Sequence, residues 1–347
     1  MTYQNSIVQQ LKVIRIVEET KDAKTFVLEP LNGWEPVYKP GQFLTLVFYT
    51  EYGEKRRSYS MSSSPATDQE ISITIKKLDN GEFSRALLNT VNPGDILDST
   101  GVAGQFVLPE NDPLIRQYVF IAAGSGITPC FSLIKTLLQE GTEHVSLIYS
   151  NKSQEDAIFY KQLRALESRY PDRLKIKFLF SNESGIYNTR LSSWLLDQLL
   201  DQYLKVERNE AMFYVCGPFD YMLTVQITLL SRFPASHVIK ENYSSLPRKL
   251  KAMPPDTDEH QANIHIAGKS FSVSTQYPES ILDAAIRQKV QLPYSCKAGR
   301  CASCIATCTK GNIWMAYNEV LTDDEVEKGR ILVCQSYAVG GDVDIIY

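Results

Sequence analysis

Four cysteines in the last fifth of the chain have a spacing suited to iron–sulfur chemistry. They follow the pattern C-x4-C-x2-C with a fourth cysteine after 29 further residues, and are Cys296, Cys301, Cys304 and Cys334. Thiolates this close in sequence reach one cluster only if the loop between them folds tightly, which Gly299 allows through its free φ. Backbone N–H groups of that loop can then donate hydrogen bonds to sulfur. The spacing therefore predicts a [2Fe-2S] cluster.

Two other interpretations of these cysteines stay open. One is a tetrahedral zinc site, although such sites usually pair two short C-x-x-C segments; the other is a set of unrelated buried thiols. The chain has 7 cysteines, an odd number that suits a metal site better than a set of disulfides. Outside the pattern, we expect Cys308 to pack on a strand over 305–309 and Cys130 to lie in the core.

Length and composition limit the class of protein. The length of 347 residues suggests two to three domains. Hydrophobic residues make up 44% of the chain and charged residues 22%, a composition typical of globular proteins. A net charge of -4 does not suit a nucleic-acid-binding surface. No apolar run approaches the roughly 18 residues of a membrane span, and the first residues lack a signal pattern. The sequence therefore predicts a cytoplasmic protein.

The elements around the cysteine pattern predict a small α+β domain. Strand patterns cover 263–274, a helical pattern covers 280–289, and a capping signature from Leu321 precedes a short helix. An apolar strand would then deliver Cys334. Together with the cysteine spacing, residues 262–347 resemble a plant-type ferredoxin over their whole length. This resemblance implies a ferredoxin-like β-grasp fold.

The middle third alternates apolar strands with helical segments. The strand patterns cover 118–122, 145–149, 176–180, 212–215 and 237–239. Such alternation predicts a doubly wound α/β domain with a parallel sheet. The first strand leads into a turn with Gly124 and Gly126 and then a helix, so that free N–H groups can bind a pyrophosphate. Glycine at this place also serves, in many α/β proteins, only to pack the helix against the sheet.

Two further features favour a nucleotide at the same edge of the sheet. Cys216 and Gly217 follow a later strand, where Cys216 would face a nicotinamide ring or simply fill the strand end. After the second strand, Lys152 stands where an acidic residue would bind a ribose 2′-hydroxyl. With Arg190 as a second cation, this favours NADPH over NADH, although a loop lysine is commonly just solvated.

The first third has short alternating strands that predict a small antiparallel β-barrel. One strand offers an arginine for phosphate, a ring for stacking and a hydroxyl for a ring nitrogen, at Arg57, Tyr59 and Ser60. Alternation places Arg57 and Tyr59 on one side of the strand. Further on, Gly81 and Ser84 open a helix whose N-terminal amides can hold a second phosphate, unless Ser84 only caps the helix.

Taken in chain order, these motifs resemble the ferredoxin-NADP reductase superfamily. With the ferredoxin appended, the entire chain is similar to flavin oxidoreductases of the type that includes the reductase component of phenylacetyl-CoA epoxidase. The motif positions that carry the resemblance are Arg57, Tyr59, Ser60, Gly81, Ser84, Gly124, Gly126, Thr128, Pro129, Cys216, Gly217 and Pro218.

The resemblance implies a role for each position on the barrel. Tyr59 would stack on the isoalloxazine and Ser60 would lie near its N5 atom. Arg57 and Ser84 would bind the pyrophosphate. Gly81 and Ser84 favour FAD over FMN, because they offer the second phosphate a helix terminus of its own.

On the nucleotide domain, the resemblance places Thr128 and Cys216 beside the nicotinamide. Glu241 and Tyr243 resemble the family's acidic and aromatic pair after the last strand, although phenylalanine is commoner than tyrosine at the second position. The implied catalytic side chains are those of Ser60, Cys216 and Glu241.

Three such domains on one chain predict an electron-transfer enzyme. A nicotinamide gives up two electrons together, a [2Fe-2S] cluster accepts one, and a flavin exchanges with both. The predicted path is NAD(P)H to FAD to the cluster and on to an oxygenase, epoxidase or desaturase, with acidic residues over 323–327 as a candidate docking face. No motif places the 4 histidines in a catalytic triad, so a hydrolase is not indicated.

Two alternatives to this enzyme stay open. One is an FMN- and NADH-dependent protein similar to phthalate dioxygenase reductase, and the other is a non-enzymatic iron–sulfur sensor on the same scaffold. The predicted domains are an FAD domain over 1–112, an NAD(P) domain over 113–243, a proline-rich linker over 244–261 and a ferredoxin domain over 262–347.

Overall fold

The chain divides into two units, residues 1–242 and 243–347. The computed structural model describes residues 8–78, 80–109, 112–183, 190–243 and 253–347. The first unit contains a six-stranded and a five-stranded sheet, and the second contains one five-stranded sheet. In these described ranges, no helix is both long enough and apolar enough to cross a membrane.

Six antiparallel strands form the predicted barrel at the start of the chain. They are β1 (Gln9–Thr20), β2 (Ala23–Pro30), β3 (Phe43–Thr50), β4 (Gly53–Ser60), β5 (Ile71–Lys76) and β6 (Ile96–Ala103), in the order β4-β3-β6-β1-β2-β5. Met61, just after β4, bridges Ile73 on β5, which joins the two edge strands. Alternate side chains such as Phe26 and Leu44 fill the interior. Helix α1 (Glu82–Thr90) follows β5.

A parallel sheet with helices on both faces forms the rest of the first unit. Its strands are β7 (Gln117–Ala123), β8 (His144–Asn151), β9 (Leu174–Phe180), β10 (Ala211–Cys216) and β11 (Val238–Glu241), in the order β11-β10-β7-β8-β9. Its helices are α2 (Ile127–Glu140), α3 (Tyr160–Arg169), α4 (Ser193–Tyr203) and α5 (Phe219–Leu230). Side chains of α2 and α3 belong to one core and those of α4 and α5 to another. The order reverses beside β7, so the carboxyl ends of β7 and β10 form the crevice where such sheets bind ligands.

The second unit is a mixed sheet packed against one helix. Its strands are β12 (His260–Ile266), β13 (Lys269–Thr275), β14 (Ile305–Met315), β15 (Arg330–Leu332) and β16 (Ser336–Ile346), and its helices are α6 (Ile281–Arg287) and α7 (Asp323–Glu327). Strand β12 pairs parallel with β16 and antiparallel with β13. Thr322 and Glu325 form the predicted capping box at the start of α7. This arrangement matches the predicted β-grasp fold.

The segment that carries Cys334 differs from the predicted strand. Strand β15 ends at Leu332, and Val333 to Gln335 form a single 3-10 turn. Neighbouring side chains on a strand point to opposite faces, yet Val333 and Cys334 are both buried. The tighter turn lets both of them point into the core.

The predicted linker lies partly outside the described residues. Residues 244–252 are not among them, and β12 begins at His260, two residues before the predicted start of the ferredoxin domain. The three sheets otherwise fall within the predicted domains, whose exact bounds stay a prediction.

Candidate functional site

The four cysteines of the C-x4-C-x2-C pattern lie in two segments of the second unit. Three are in the loop between α6 and β14, which we call the cysteine loop (residues 295–304), and Cys334 is in the turn after β15. The thiols of Cys296 and Cys301 are hydrogen-bonded to each other, and so are those of Cys304 and Cys334. The fold therefore joins the four side chains into two pairs.

Left-handed backbone conformation winds the cysteine loop. Lys297, Gly299 and Ala302 have φ values of 53°, 71° and 60°. At Gly299 a side chain is also excluded by space, because a Cβ would lie 2.9 Å from the carbonyl oxygen of Tyr317. The glycine singled out from the sequence is thus the one that allows the loop to pack this closely.

Backbone N–H groups of the loop donate to sulfur. The amide of Ala298 lies 3.3 Å from Cys296 Sγ, and the amide of Cys296 lies 3.5 Å from Cys301 Sγ. The hydrogen bond from the Cys301 thiol, together with loop amides such as that of Ala298 and against the effect of burial, lowers the pKa of Cys296 to about 6. The hydrogen bonds therefore stabilise negative charge on the Cys296 sulfur.

This donor set fits a two-iron cluster better than a single metal ion. A tetrahedral zinc site needs three or four ligands around one point. Within the described ranges, no three His, Cys, Asp or Glu side chains form such a group. Two pairs of thiols, with amides directed at sulfur, match the two irons of a [2Fe-2S] cluster. Cys308, as expected, is apart from both pairs and donates to the Lys310 carbonyl at 3.3 Å.

The glycine turn of the nucleotide domain forms at the carboxyl end of β7. Gly124 has a φ of 56°, and its carbonyl accepts a hydrogen bond from the Tyr149 hydroxyl at 2.9 Å. Gly126 faces the end of β10, where a Cβ would overlap the carbonyl oxygen of Cys216. Gly126 therefore serves the packing role that the sequence left open, and Gly124 leaves the turn accessible to a ligand.

We expect Gly126→Ala to destabilise the first unit. The added methyl would push the turn away from β10 at a backbone atom that cannot rotate aside, which costs about 1–3 kcal/mol. Thermal unfolding followed by circular dichroism would show a midpoint lower by several degrees. Ser125→Ala, in the same turn, is the control and should leave the midpoint near that of the parent. Equal midpoints for the two variants would contradict the close contact.

A buried hydrogen bond joins the barrel to the nucleotide sheet. The Ser60 hydroxyl at the end of β4 donates to Glu241 Oε2 at the end of β11, over 3.1 Å, and both side chains are buried. Glu241 pairs in register with Cys216 on β10, which is fully buried. The three predicted catalytic residues are thus linked, although they are distant in sequence.

Thr128 lies in the first turn of α2 at the same edge. Its hydroxyl oxygen is buried and has no hydrogen-bond partner among the residues that the structure describes. A buried polar atom without a partner is costly, so such an atom at a strand edge fits a site for a polar ligand. Pro129 is the next residue in that first turn. Backbone N–H groups there have no partner within the helix, so the N–H that proline lacks is not needed.

The predicted flavin strand is β4, so Arg57 and Tyr59 occupy alternate positions on one side of it. The Arg57 guanidinium lies 4.7 Å from the centre of the Phe83 ring, and burial raises the pKa of Tyr59. Ser84 does not cap α1: its hydroxyl donates to the Gly81 carbonyl at 3.2 Å and accepts from the Leu78 amide at 3.3 Å. The hydroxyl therefore holds the turn that presents the start of α1.

Lys76 is a residue that sequence reasoning missed. Its Nζ lies 3.5 Å from the position that a Cβ of Gly124 would occupy, and burial lowers its pKa. The cation therefore stands beside the glycine turn, which suits a phosphate. The signal in the sequence was weak, because Lys76 only ends the strand pattern of β5 and is far from Gly124 along the chain.

The remaining predicted positions lie near the surface. Lys152 and Arg190 are exposed, and Tyr243 is 44% exposed. Gly217 packs against Ala123, where a Cβ would lie 3.1 Å from its Cβ. Of the acidic residues over 323–327, Glu325 closes the cap of α7 and pairs with Arg330 at 3.1 Å.

Three protein families match consecutive parts of the chain. Residues 10–108 match the oxidoreductase FAD-binding domain, residues 120–226 the oxidoreductase NAD-binding domain, and residues 264–339 the 2Fe-2S iron-sulfur cluster binding domain. These matches show that the chain uses FAD, a nicotinamide nucleotide and a [2Fe-2S] cluster, as the sequence predicted.

Full-length relatives share all three parts. The ferredoxin reductase component of 3-ketosteroid-9-alpha-monooxygenase from Mycolicibacterium smegmatis is 32% identical, over 99% of this chain and 98% of the relative. A subunit of 1,2-phenylacetyl-CoA epoxidase from Escherichia coli is 31% identical, over 96% of both. The solved structure of phthalate dioxygenase reductase covers 100% of both chains with a TM-score of 0.63 at 23% identity, which shows the same fold.

The three family domains follow one another along the chain, and the relatives match it over nearly its whole length. The predicted family and enzyme class are confirmed. The chain belongs to the family of NAD(P)H-dependent ferredoxin reductase components, which pass electrons through FAD and a [2Fe-2S] cluster to partner oxygenases.

Proposed function

We propose that this chain draws electrons from NADPH and delivers them one at a time to an oxygenase or epoxidase through the four cysteines Cys296, Cys301, Cys304 and Cys334. Bound FAD exchanges electron pairs for single electrons, and a bound [2Fe-2S] cluster carries single electrons. The observation that carries the proposal is the Ser60–Glu241 hydrogen bond, because it joins the flavin strand to the nucleotide sheet where hydride transfer would occur.

The residues of the barrel would hold the flavin. Tyr59 would stack on its ring, and Arg57 would bind its pyrophosphate from the same side of β4. The amides at the start of α1, held in place by Ser84, would bind the second phosphate. Ser60 would lie near the N5 atom and keep the Glu241 carboxylate oriented.

The residues of the nucleotide sheet would hold the nicotinamide nucleotide. The turn at Gly124 and the cation of Lys76 would bind the pyrophosphate, and the Thr128 hydroxyl would bond the carboxamide. Cys216 would close the site behind the ring. Lys152 and Arg190, both exposed, would bind a 2′-phosphate and so favour NADPH over NADH.

A visible spectrum of the purified, anaerobic protein tests this function. Stoichiometric NADPH should bleach the flavin and cluster bands, NADH should do so more slowly, and denaturation should release FAD. Release of FMN with faster bleaching by NADH would favour the FMN-dependent alternative. Flavin and cluster bands that respond to neither nucleotide would favour the non-enzymatic sensor.

We expect Tyr59→Ala to weaken flavin retention. Loss of a partly buried ring that stacks on the flavin costs about 1.5–3 kcal/mol, which raises the Kd for FAD about 10- to 100-fold. Fluorescence of FAD released during dilution measures this. Tyr52→Ala is the matched control, because Tyr52 is 81% exposed in the turn before β4. Unchanged FAD affinity in the Tyr59 variant would contradict the stacking role.

The partner and the location stay predictions. The relatives serve a ketosteroid monooxygenase and a phenylacetyl-CoA epoxidase, and we propose an acceptor of this oxygenase class. Docking through 323–327 would use Asp323, Asp324 and Glu327, since Glu325 is engaged by the cap. We also propose that the protein acts in the cytoplasm, where its nicotinamide donor is produced.

A further inference from the structure

A buried ion pair joins the cysteine loop to the segment that follows β14. The Arg300 side chain, 7% exposed, has its Nε 3.1 Å from Oε2 of Glu319, whose side chain is 17% exposed. This contact is an ion pair between two side chains that are largely buried. Glu319 Oε1 also accepts a hydrogen bond from the Tyr317 hydroxyl, and the guanidinium lies 5.6 Å from the centre of the Tyr317 ring.

The backbone amides of the same two residues also donate hydrogen bonds to the cysteine loop. The amide of Arg300 donates to Cys296 Sγ. The amide of Glu319 donates to the Gly299 carbonyl at 3.1 Å. The charged side chains are therefore held at a constant position relative to the cysteine sulfur atoms.

A buried ion pair at this place needs an explanation beyond stability. Removing two charges from water costs more than their attraction returns in many proteins, and apolar residues of similar volume often stabilise a fold more. A brace for the loop could therefore be apolar. A charge fixed close to a redox centre, in contrast, changes the energy of adding an electron, and burial leaves its field little screened.

We propose that the Arg300–Glu319 pair sets the reduction potential of the [2Fe-2S] cluster. One electron enters the cluster from the flavin, no bond forms or breaks, and the charge of the site becomes one unit more negative. The Arg300 cation stabilises that added charge and Glu319 offsets the cation. The reduction potential of the parent protein should therefore lie between that of a variant without the Arg300 charge and that of a variant without the Glu319 charge. This proposal rests on the assignment of the cluster to the four cysteines.

Single-charge variants of the full-length holoenzyme test the proposal. We expect Glu319→Gln to raise the cluster potential and Arg300→Met to lower it, each by about a tenfold change in the equilibrium constant for reduction, which is 59 mV for a one-electron couple. The double variant should lie between the two. Redox titration followed by the paramagnetic signal of the reduced cluster measures all four proteins, independently of activity.

Lys297→Met is the matched control. Lys297 is also next to a cysteine ligand, but its side chain is 42% exposed and pairs with Asp283, which is 49% exposed. Water and salt screen this charge, so we expect a clearly smaller shift than for Arg300→Met. If Lys297→Met shifted the cluster potential as much as Arg300→Met does, burial could not be the cause of the Arg300 effect.

Two outcomes would overturn the proposal. A loop brace without an electrostatic role would shift the potentials of both single variants in the same direction, or shift neither. If Arg300→Met fails to retain iron, Arg300→Lys and the double variant carry the test. The potential of Arg300→Lys should lie near that of the parent, and the potential of the double variant should lie below that of Glu319→Gln. A parent protein without a cluster signal would instead refute the cysteine assignment.

Discussion

Cys301→Ser should abolish the reduction of one-electron protein acceptors while NADPH still bleaches the flavin. The substitution removes one thiolate from the Cys296–Cys301 pair, and the remaining partner cannot hold an iron alone. Substituting residues that only contact the ligands of a metal already lowers metal affinity or activity about 10–100-fold. Loss of a ligand itself should therefore lower the rate of cytochrome c reduction at least about 100-fold. Stopped-flow bleaching at the flavin band should keep its parent rate.

The control for this result is Cys308→Ser. Cys308 lies on β14, apart from both pairs of thiols, and its thiol donates to the backbone carbonyls of Lys310 and Gly311. Both reactions and the iron content should therefore stay at parent values. Loss of flavin bleaching in Cys301→Ser would contradict the separation of the two redox sites into separate domains. Retained cytochrome c reduction without iron would show that electrons leave from the flavin.

Glu241→Gln should slow hydride transfer from NADPH to the flavin by about 100-fold. This factor is at the low end of the rate effects that positioned acid or base side chains contribute to catalysis. The buried carboxylate is held by Ser60 at 3.1 Å, at the edge where β10 and β11 end. The amide keeps the shape of the side chain and removes its charge. Flavin bleaching in single-turnover stopped flow measures the step.

Ser60→Ala tests the same unit from the other side. Because its hydroxyl orients Glu241, its loss should slow the same step, and the double variant should be little slower than Glu241→Gln alone. Glu140→Gln, an exposed carboxylate at the end of α2, is the control and should leave the rate unchanged. Additive losses in the double variant would mean that the two side chains act separately.

Features that depend on local spacing could be predicted from the sequence alone. The C-x4-C-x2-C pattern and Gly299 identified the cysteine loop, because ligand spacing and a left-handed residue are properties of a few neighbouring residues. Apolar alternation and the glycine turn identified the barrel and the parallel sheet for the same reason. The 3-10 turn at Cys334 was missed, since an apolar run does not distinguish a strand from a tight turn.

Contacts between side chains that are distant along the chain could be found only from the folded structure. Ser60 and Glu241 are 181 positions apart, and barrel closure and strand order bring them within hydrogen-bonding distance. Lys76 reaches the turn at Gly124 for the same kind of reason. A local pattern encodes periodicity and turn geometry, whereas these contacts depend on the register of strands that pair across long stretches of chain.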